Sequence, residues 1–261
     1  RLRTVTGVQT CALPILLLGL VLALAAFGLV GCDGLLSMNL FAGMEKAPKT
    51  AADIAASQDV IGDLSLAMEY GTFFDGLTAD DIAALEEVLE ELMNGDDVDD
   101  ARAAALLYVE LEMNTSEAGE VQEEAITVAG DMANVLMEGD EGVDVDTLGD
   151  TVLGLFDELD ADQTLAAAES FEGAASAYEA YVETMYDAES GTYIFPEGAD
   201  VMEIASTALL CALVEASGGA QAFADAVAAD ELTVDASTLE SVAWVGNLFE
   251  ALGNYFSGAG E

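Results

Sequence analysis

The chain has no histidine and only 5 Lys+Arg against 51 Asp+Glu, a formal net charge of −46 over 261 residues. Without imidazole, Ser/His/Asp and Cys/His nucleophile systems and histidine-ligated zinc sites are excluded. Without a basic footprint the surface repels phosphate backbones and anionic lipid headgroups, so nucleic acid is excluded as a partner. Cysteine is scarce: Cys11, Cys32 and Cys211 offer no disulfide framework. Proline is equally scarce, and the gap from Pro48 to Pro196 favours long helices over strands.

Apolar residues, by contrast, are plentiful. They make up 53% of the chain, and the mean hydropathy is +0.38. Charge-driven disorder requires low hydrophobicity as well as high net charge, so the body is expected to fold.

The N-terminus reads differently from the rest. Val5 to Ile15, VTGVQTCALPI, resembles the conceptual translation of a short-read sequencing adapter, which implies that residues 1–15 are an assembly artefact. Leu16 to Val30 is then an uncharged apolar run. At 1.5 Å per residue it reaches only about 22 Å, short of the roughly 30 Å hydrocarbon core, and it suits the h-region of a signal peptide. Leu29-Val30-Gly31-Cys32, at the end of that run, resembles the lipobox of bacterial lipoproteins. The resemblance implies a signal peptide over 16–31, cleavage before Cys32 and lipid attachment at that cysteine. The expected address is the bacterial cell envelope, with the body tethered to a membrane and facing the periplasm or exterior. Asp33 directly after the cysteine resembles an inner-membrane retention signal. Residues 32–50, with Pro48, Lys46 and Lys49, read as the lipidated tether.

Residues 51–261 read as a helical domain with a sub-boundary near 188–199. Ile82, Leu85, Leu89 and Leu92 follow 3,4,3 spacing behind Thr78 and Asp81, placed as a capping box, with Gly95 as a stop. Val145, Leu148, Val152, Leu155 and Leu159 make one stripe, and Leu165, Ala168, Phe171, Ala175, Tyr178, Val182 and Met185 a longer one. Asp200 with Glu203, and Ser237 with Glu240, stand as further helix starts. The spacings predict helices near 51–57, 60–70, 79–93, 97–113, 116–138, 145–158, 162–187, 200–216 and 237–256. Gly191 to Pro196 reads as an extended segment without a strand partner, a loop packed on the helices.

The expected fold class is all-α: an irregular helical bundle or a short helical-repeat solenoid of about eight or more helices. Asp97-Val98-Asp99 and Asp144-Val145-Asp146 recur about one helical-hairpin repeat apart. Ala167, Phe171 and Ala174 resemble the second-helix pattern of tetratricopeptide repeats.

The acidic loops suggest calcium as a ligand to test. Counted from Asp144, EF-hand positions one, three and seven are Asp144, Asp146 and Asp150, with Gly149 at six; positions five and twelve are Leu148 and Leu155, where oxygen ligands are needed. Asp96, Asp97, Asp99 and Asp100 form a second cluster and Asp157, Asp160 and Asp162 a third; carboxylates at helix starts account for both more simply. Acid-rich, lysine-poor surfaces resemble those of proteins from salty habitats.

No catalytic constellation emerges. With 51 acids, carboxylate proximity in sequence is uninformative about glycoside hydrolysis. Cys211, in an apolar run, reads as a core thiol, and Trp244 as core. The expected function is a non-enzymatic, membrane-anchored interaction or scaffold module without a resident cofactor. The alternative is a cation- or small-ligand-binding lipoprotein using the Asp-rich loops or a helical-repeat groove.

Overall fold

The computed structural model describes residues 49–69, 72–137, 151–232, 239 and 241–258. Residues 1–48, which hold the adapter-like stretch, the apolar run, Cys32 and most of the tether, lie outside them. So do Asp144, Asp146 and Asp150, and the Ser237/Glu240 pair.

The described fold is all-α. Its helices are α1 (Ala51–Ala55), α2 (Val60–Met68), α3 (Ala79–Met93), α4 (Val98–Asn114), α5 (Ala118–Met137), α6 (Ala161–Thr184), α7 (Val201–Ala216), α8 (Ala220–Ala228) and α9 (Ala243–Gly258), with a 3-10 turn at Phe74–Gly76. Side-chain caps set most of the starts. Thr50 and Thr78 make capping boxes with Asp53 and Asp81, and Asp160 with Gln163. Asp59, Asp97 and Asp200 each accept backbone N–H groups at the starts of α2, α4 and α7. These carboxylates satisfy N–H groups that have no intrahelical partner and sit at the positive end of the helix dipole.

α6 is the axis of the bundle. At 24 residues it is about 36 Å long, and it packs against α3, α4, α5, α7, α8 and α9. A solenoid unit touches only its sequence neighbours, so the observed arrangement is the bundle alternative. Small residues make the crowding feasible: Ala167, Ala168, Ala174 and Ala177 of α6 are all fully buried, interleaved with Phe171, Tyr178 and Val182. Close helix approach needs short side chains at the contact. α7 is buried on nearly every side, from Val201 through Val214, as expected of a helix that is apolar all round. One apolar core runs from Ala51 to Leu252 and joins helices on both sides of residues 188–199.

Among the described residues no single helix is long and apolar enough to cross a membrane; α7 and α8 pass that test only as a pair bent by 92°. The bend falls at Gly218 and Gly219, with φ of 96° and 102°, a region that glycine enters without steric cost.

Two expectations are corrected. The helix read as 162–187 ends at Thr184, and Tyr186–Asp187 pairs antiparallel with Thr192–Tyr193, so the extended segment does have a partner. Asp187 is the reason: its carboxylate accepts the N–H groups of Glu189 and Ser190 at 3.0 and 3.2 Å and the Ser190 hydroxyl at 2.6 Å. Gly191 at φ 73° completes the turn. Aspartate closing a local turn competes with helix continuation. The helix read as 145–158 is helical only to Gly154 among its described residues, and residues 155–158 are turns held by i→i+3 bonds such as Leu155 N–H to Val152 C=O at 3.2 Å. Leu155 and Phe156 are nevertheless buried, so the apolar spacing reports burial there rather than helix.

Candidate functional site: a carboxyl seam between three helices

α4 brings an acid into an apolar run. Leu107, Tyr108, Val109, Leu111 and Met113 are all buried, and Glu112 lies among them, half-buried. Its carboxyl group rests on α6 beside Gly173: a Cβ added there would lie 2.8 Å from Glu112 Oε1. The missing side chain is what admits the carboxyl. Ser170, one turn earlier on α6 and 8% exposed, and Tyr108, one turn back on α4, are its polar neighbours, and both hydroxyls favour the charged form of the carboxyl.

α3 supplies the opposing group. Its stripe places Leu85 and Leu89 fully inside, which leaves Glu86, half-buried, close enough to Glu112 for each to act on the other's titration. Burial first, then the neighbouring Glu86 charge, pushes the Glu112 carboxyl up to about 7. Burial also raises Glu86, with the Glu90 charge adding to it and the Glu112 hydrogen bond opposing. Burial and the charges of Glu112, Glu86 and Glu90 raise the Tyr108 phenol well above its ordinary range. Neighbouring acids ionise together less readily than either does alone. Glu112, raised to about 7, is the carboxyl of this seam whose charge changes near neutrality.

A second polar seam lies where α6 meets α5, α7 and α9. Gln122 donates to the Thr207 hydroxyl at 2.8 Å, and that hydroxyl donates to the Glu203 carbonyl at 2.9 Å. Tyr178 hydrogen-bonds to Thr207 and stacks with Trp244, ring centroids 6.4 Å apart. Trp244 is 4% exposed and donates through Nε1 to Glu215 at 3.1 Å. Cys211 is fully buried, and burial pushes its thiol far up. Both Trp244 and Cys211 are core residues, as the sequence suggests.

The other acidic clusters divide by job. Asp97 accepts the N–H groups of Asp99 and Asp100 at 3.1 and 3.2 Å, and Asp99 pairs with Arg102 at 3.1 Å. Asp160 caps α6. Among the described residues no three acidic or thiol side chains are grouped to hold a metal ion; Asp144, Asp146 and Asp150 lie outside them, as does Cys32.

Neither Glu86 nor Glu112 stands out in the sequence, since 51 acids surround them. The available signal is an acid flanked by Leu111 and Met113, four residues after a tyrosine. No protein-family model, curated protein or solved structure matches the chain.

Proposed function

We propose that this chain is a lipid-anchored envelope protein whose acidic helical body is a non-catalytic interaction or scaffold module adapted to salt. The address rests on the apolar run Leu16 to Val30, whose last two residues open Leu29-Val30-Gly31-Cys32, with lipid on Cys32. The observation that carries the surface reading concerns the bases. Lys49 and Arg102 are the bases among the described residues, and both are engaged internally. Lys49 pairs with Asp63 and reaches Ser57, while Arg102 pairs with Asp99 and donates to the Thr184 hydroxyl and carbonyl at 3.2 and 3.0 Å. The outer face is therefore left to carboxylates, whose mutual repulsion is relieved when salt shortens the screening length to about 3 Å at 1 M.

Expression of the chain behind a start codon and basic n-region in a bacterial host, with mass spectrometry of the N-terminal peptide, tests the anchor. Diacylglycerol on Cys32 supports it, and an unmodified cysteine overturns it. Crosslinking in the native envelope tests the module, which fails if no protein partner is recovered.

A second reading, cation or small-ligand binding, is favoured by an open cleft of roughly 300 Å³ where α3 ends and α4 begins. Val88 and Leu92 line it together with Glu91, Asp96, Asp97 and Asp100. A melting point raised by micromolar calcium, and not by sodium at matched ionic strength, would shift the balance to it.

A further inference from the structure

We propose that Asn94–Gly95, in the turn between α3 and α4, is a site of spontaneous deamidation, which turns a neutral helix cap into a carboxylate at the rim of the cleft and proceeds when the last turn of α3 frays. The inference stands on local chemistry and geometry and is independent of the envelope address.

Asn94 is the one asparagine of the chain that glycine follows. A side chain on the following residue obstructs the approach of its backbone nitrogen to the asparagine amide carbon. Glycine removes that obstruction along with most of the backbone restriction. Both Asn94 and Gly95 are exposed, so water reaches the reacting atoms.

The reaction neither oxidises nor reduces. The Gly95 backbone nitrogen, having lost its proton to hydroxide, attacks Asn94 Cγ. The new N–C bond closes a succinimide ring, the Cγ–Nδ2 bond breaks, and Nδ2 leaves as ammonia with a proton taken from water. Water then reopens the ring. Addition at Cγ gives aspartate, whereas addition at the Asn94 backbone carbonyl carbon gives isoaspartate, with the chain rerouted through the side chain. The net change is ammonia lost and water gained.

In the closed turn both reacting groups are occupied. Asn94 Nδ2 donates to the Glu90 carbonyl at 2.7 Å, and the Gly95 N–H donates to the Leu92 carbonyl at 3.0 Å. A Cβ at position 95 would lie 3.0 Å from that same carbonyl oxygen, so glycine also suits the tight exit from the helix. Attack therefore waits for the last turn to open. Nothing basic stands in that turn, and Glu90 and Glu91 lie at the negative end of the helix dipole, so fraying is inexpensive there.

The product cannot restore the cap. A carboxylate has no proton to give the Glu90 carbonyl, and it adds negative charge at a helix C-terminus. Gly95 lines the cleft with Glu91, Asp96, Asp97 and Asp100, so each modified chain carries one more charge at that rim.

α4 supplies an internal control. Asn114 at its end makes the same bond, Nδ2 to the Glu110 carbonyl at 2.8 Å, and is exposed as well, but Thr115 follows it.

Incubation of the full chain for weeks at pH 8 and high salt, with peptide mass mapping, reads both sites. Asn94 is expected to deamidate at least roughly tenfold faster than Asn114, a barrier lower by about 1.4 kcal/mol. Part of the product should be isoaspartate, which enzymatic methylation of isoaspartyl carboxyls labels. Urea sufficient to unfold the chain should speed Asn94, because it removes the need to fray. Gly95→Ala should bring Asn94 down to the Asn114 rate, and Asn94→Gln, which keeps an amide donor in a folded protein, should abolish the label. Equal rates at Asn94 and Asn114 overturn the site. So does a product without isoaspartate, or a label that persists in Asn94→Gln. An Asn94 rate no faster in urea than in the folded chain overturns the gating by α3.

Discussion

Where α6 meets α3 and α4, the polar groups at the helix contact are acids facing acids, Glu86 and Glu112, with a phenol and a serine hydroxyl beside them. Where α6 meets α5, α7 and α9, the hydrogen bonds join mostly neutral groups, Gln122 to Thr207, Thr207 to the Glu203 carbonyl, Tyr178 to Thr207, while Glu215, exposed, is bonded to the Trp244 indole and the Glu203 carboxyl, raised by burial, acts on Tyr178 through its charge. Both arrangements satisfy buried polar atoms, as burial demands. They differ in what changes with conditions. A network of amide, hydroxyl and indole groups keeps its hydrogen bonds across the accessible pH range, whereas a carboxyl raised to about 7 changes its charge within it. One helix thus carries a fixed seam and a conditional one.

The comparison breaks most completely when the shared axis is damaged. Phe171 is fully buried on α6, and Phe171→Ala is expected to cost about 3–5 kcal/mol, weakening both seams at once. Urea unfolding at high salt, followed by helical circular dichroism, measures it; a loss below about 1 kcal/mol would mean that the core re-collapses around the site.

Glu112→Gln acts on one seam only. It should leave stability at pH 5 nearly unchanged and raise it at pH 8 by at most about 3 kcal/mol, the bound set by a carboxyl moved from 4.5 to about 7. Partial exposure of the group lowers that figure toward about 1 kcal/mol. Unfolding curves at the two pH values check it, and a pH-independent effect would assign Glu112 a purely packing role.

A third acid sharpens the contrast. Glu172 of α6 accepts the Ala220 N–H at 2.9 Å and so caps α8 from a distance, because Gly219 at its start has no side chain to do so. Glu172→Ala should cost about 1 kcal/mol, the loss of a helix cap. In the fixed seam, Tyr178→Phe deletes one hydroxyl from the Thr207 network. The expected loss is about 1 kcal/mol at every pH between 6 and 8. Thermal melts of both variants at two pH values suffice, and a pH-dependent loss in Tyr178→Phe would erase the distinction between the seams.

Much of the helical scaffold is legible in residue order. Thr78 with Asp81 opens α3 as the pattern indicates, and Leu85 and Leu89 fall fully inside. The long stripe through Phe171, Tyr178 and Val182 becomes the axis. These features are local, set by caps and by periodicity near 3.6, and need no knowledge of the neighbours. Reading fails where a longer-range contact prevails over a local preference. Tyr186–Asp187 leaves the helical stripe because Thr192–Tyr193 is there to pair with it. Leu155 and Phe156 keep their apolar spacing in a run of turns, and Phe156 meets Phe223 of α8 edge-on at 5.3 Å. The carboxyl seam was hidden for a related reason. An acid on a helix reads as solvated surface unless its partners are known, and Glu86, Ser170 and Gly173 lie on two other helices.

The sequence by itself determined the helical class, the caps that start α3 and α7, the buried stripes, and a composition of 51 acids against 5 bases with no histidine. Only the tertiary structure decided that α6 stands at the centre of a bundle rather than within a solenoid, and which two of the 51 acids meet. The physical reason is range. Capping and amphipathicity act within one or two turns, whereas burial, and the proton affinity it imposes on a carboxyl group, depends on every helix that packs around it.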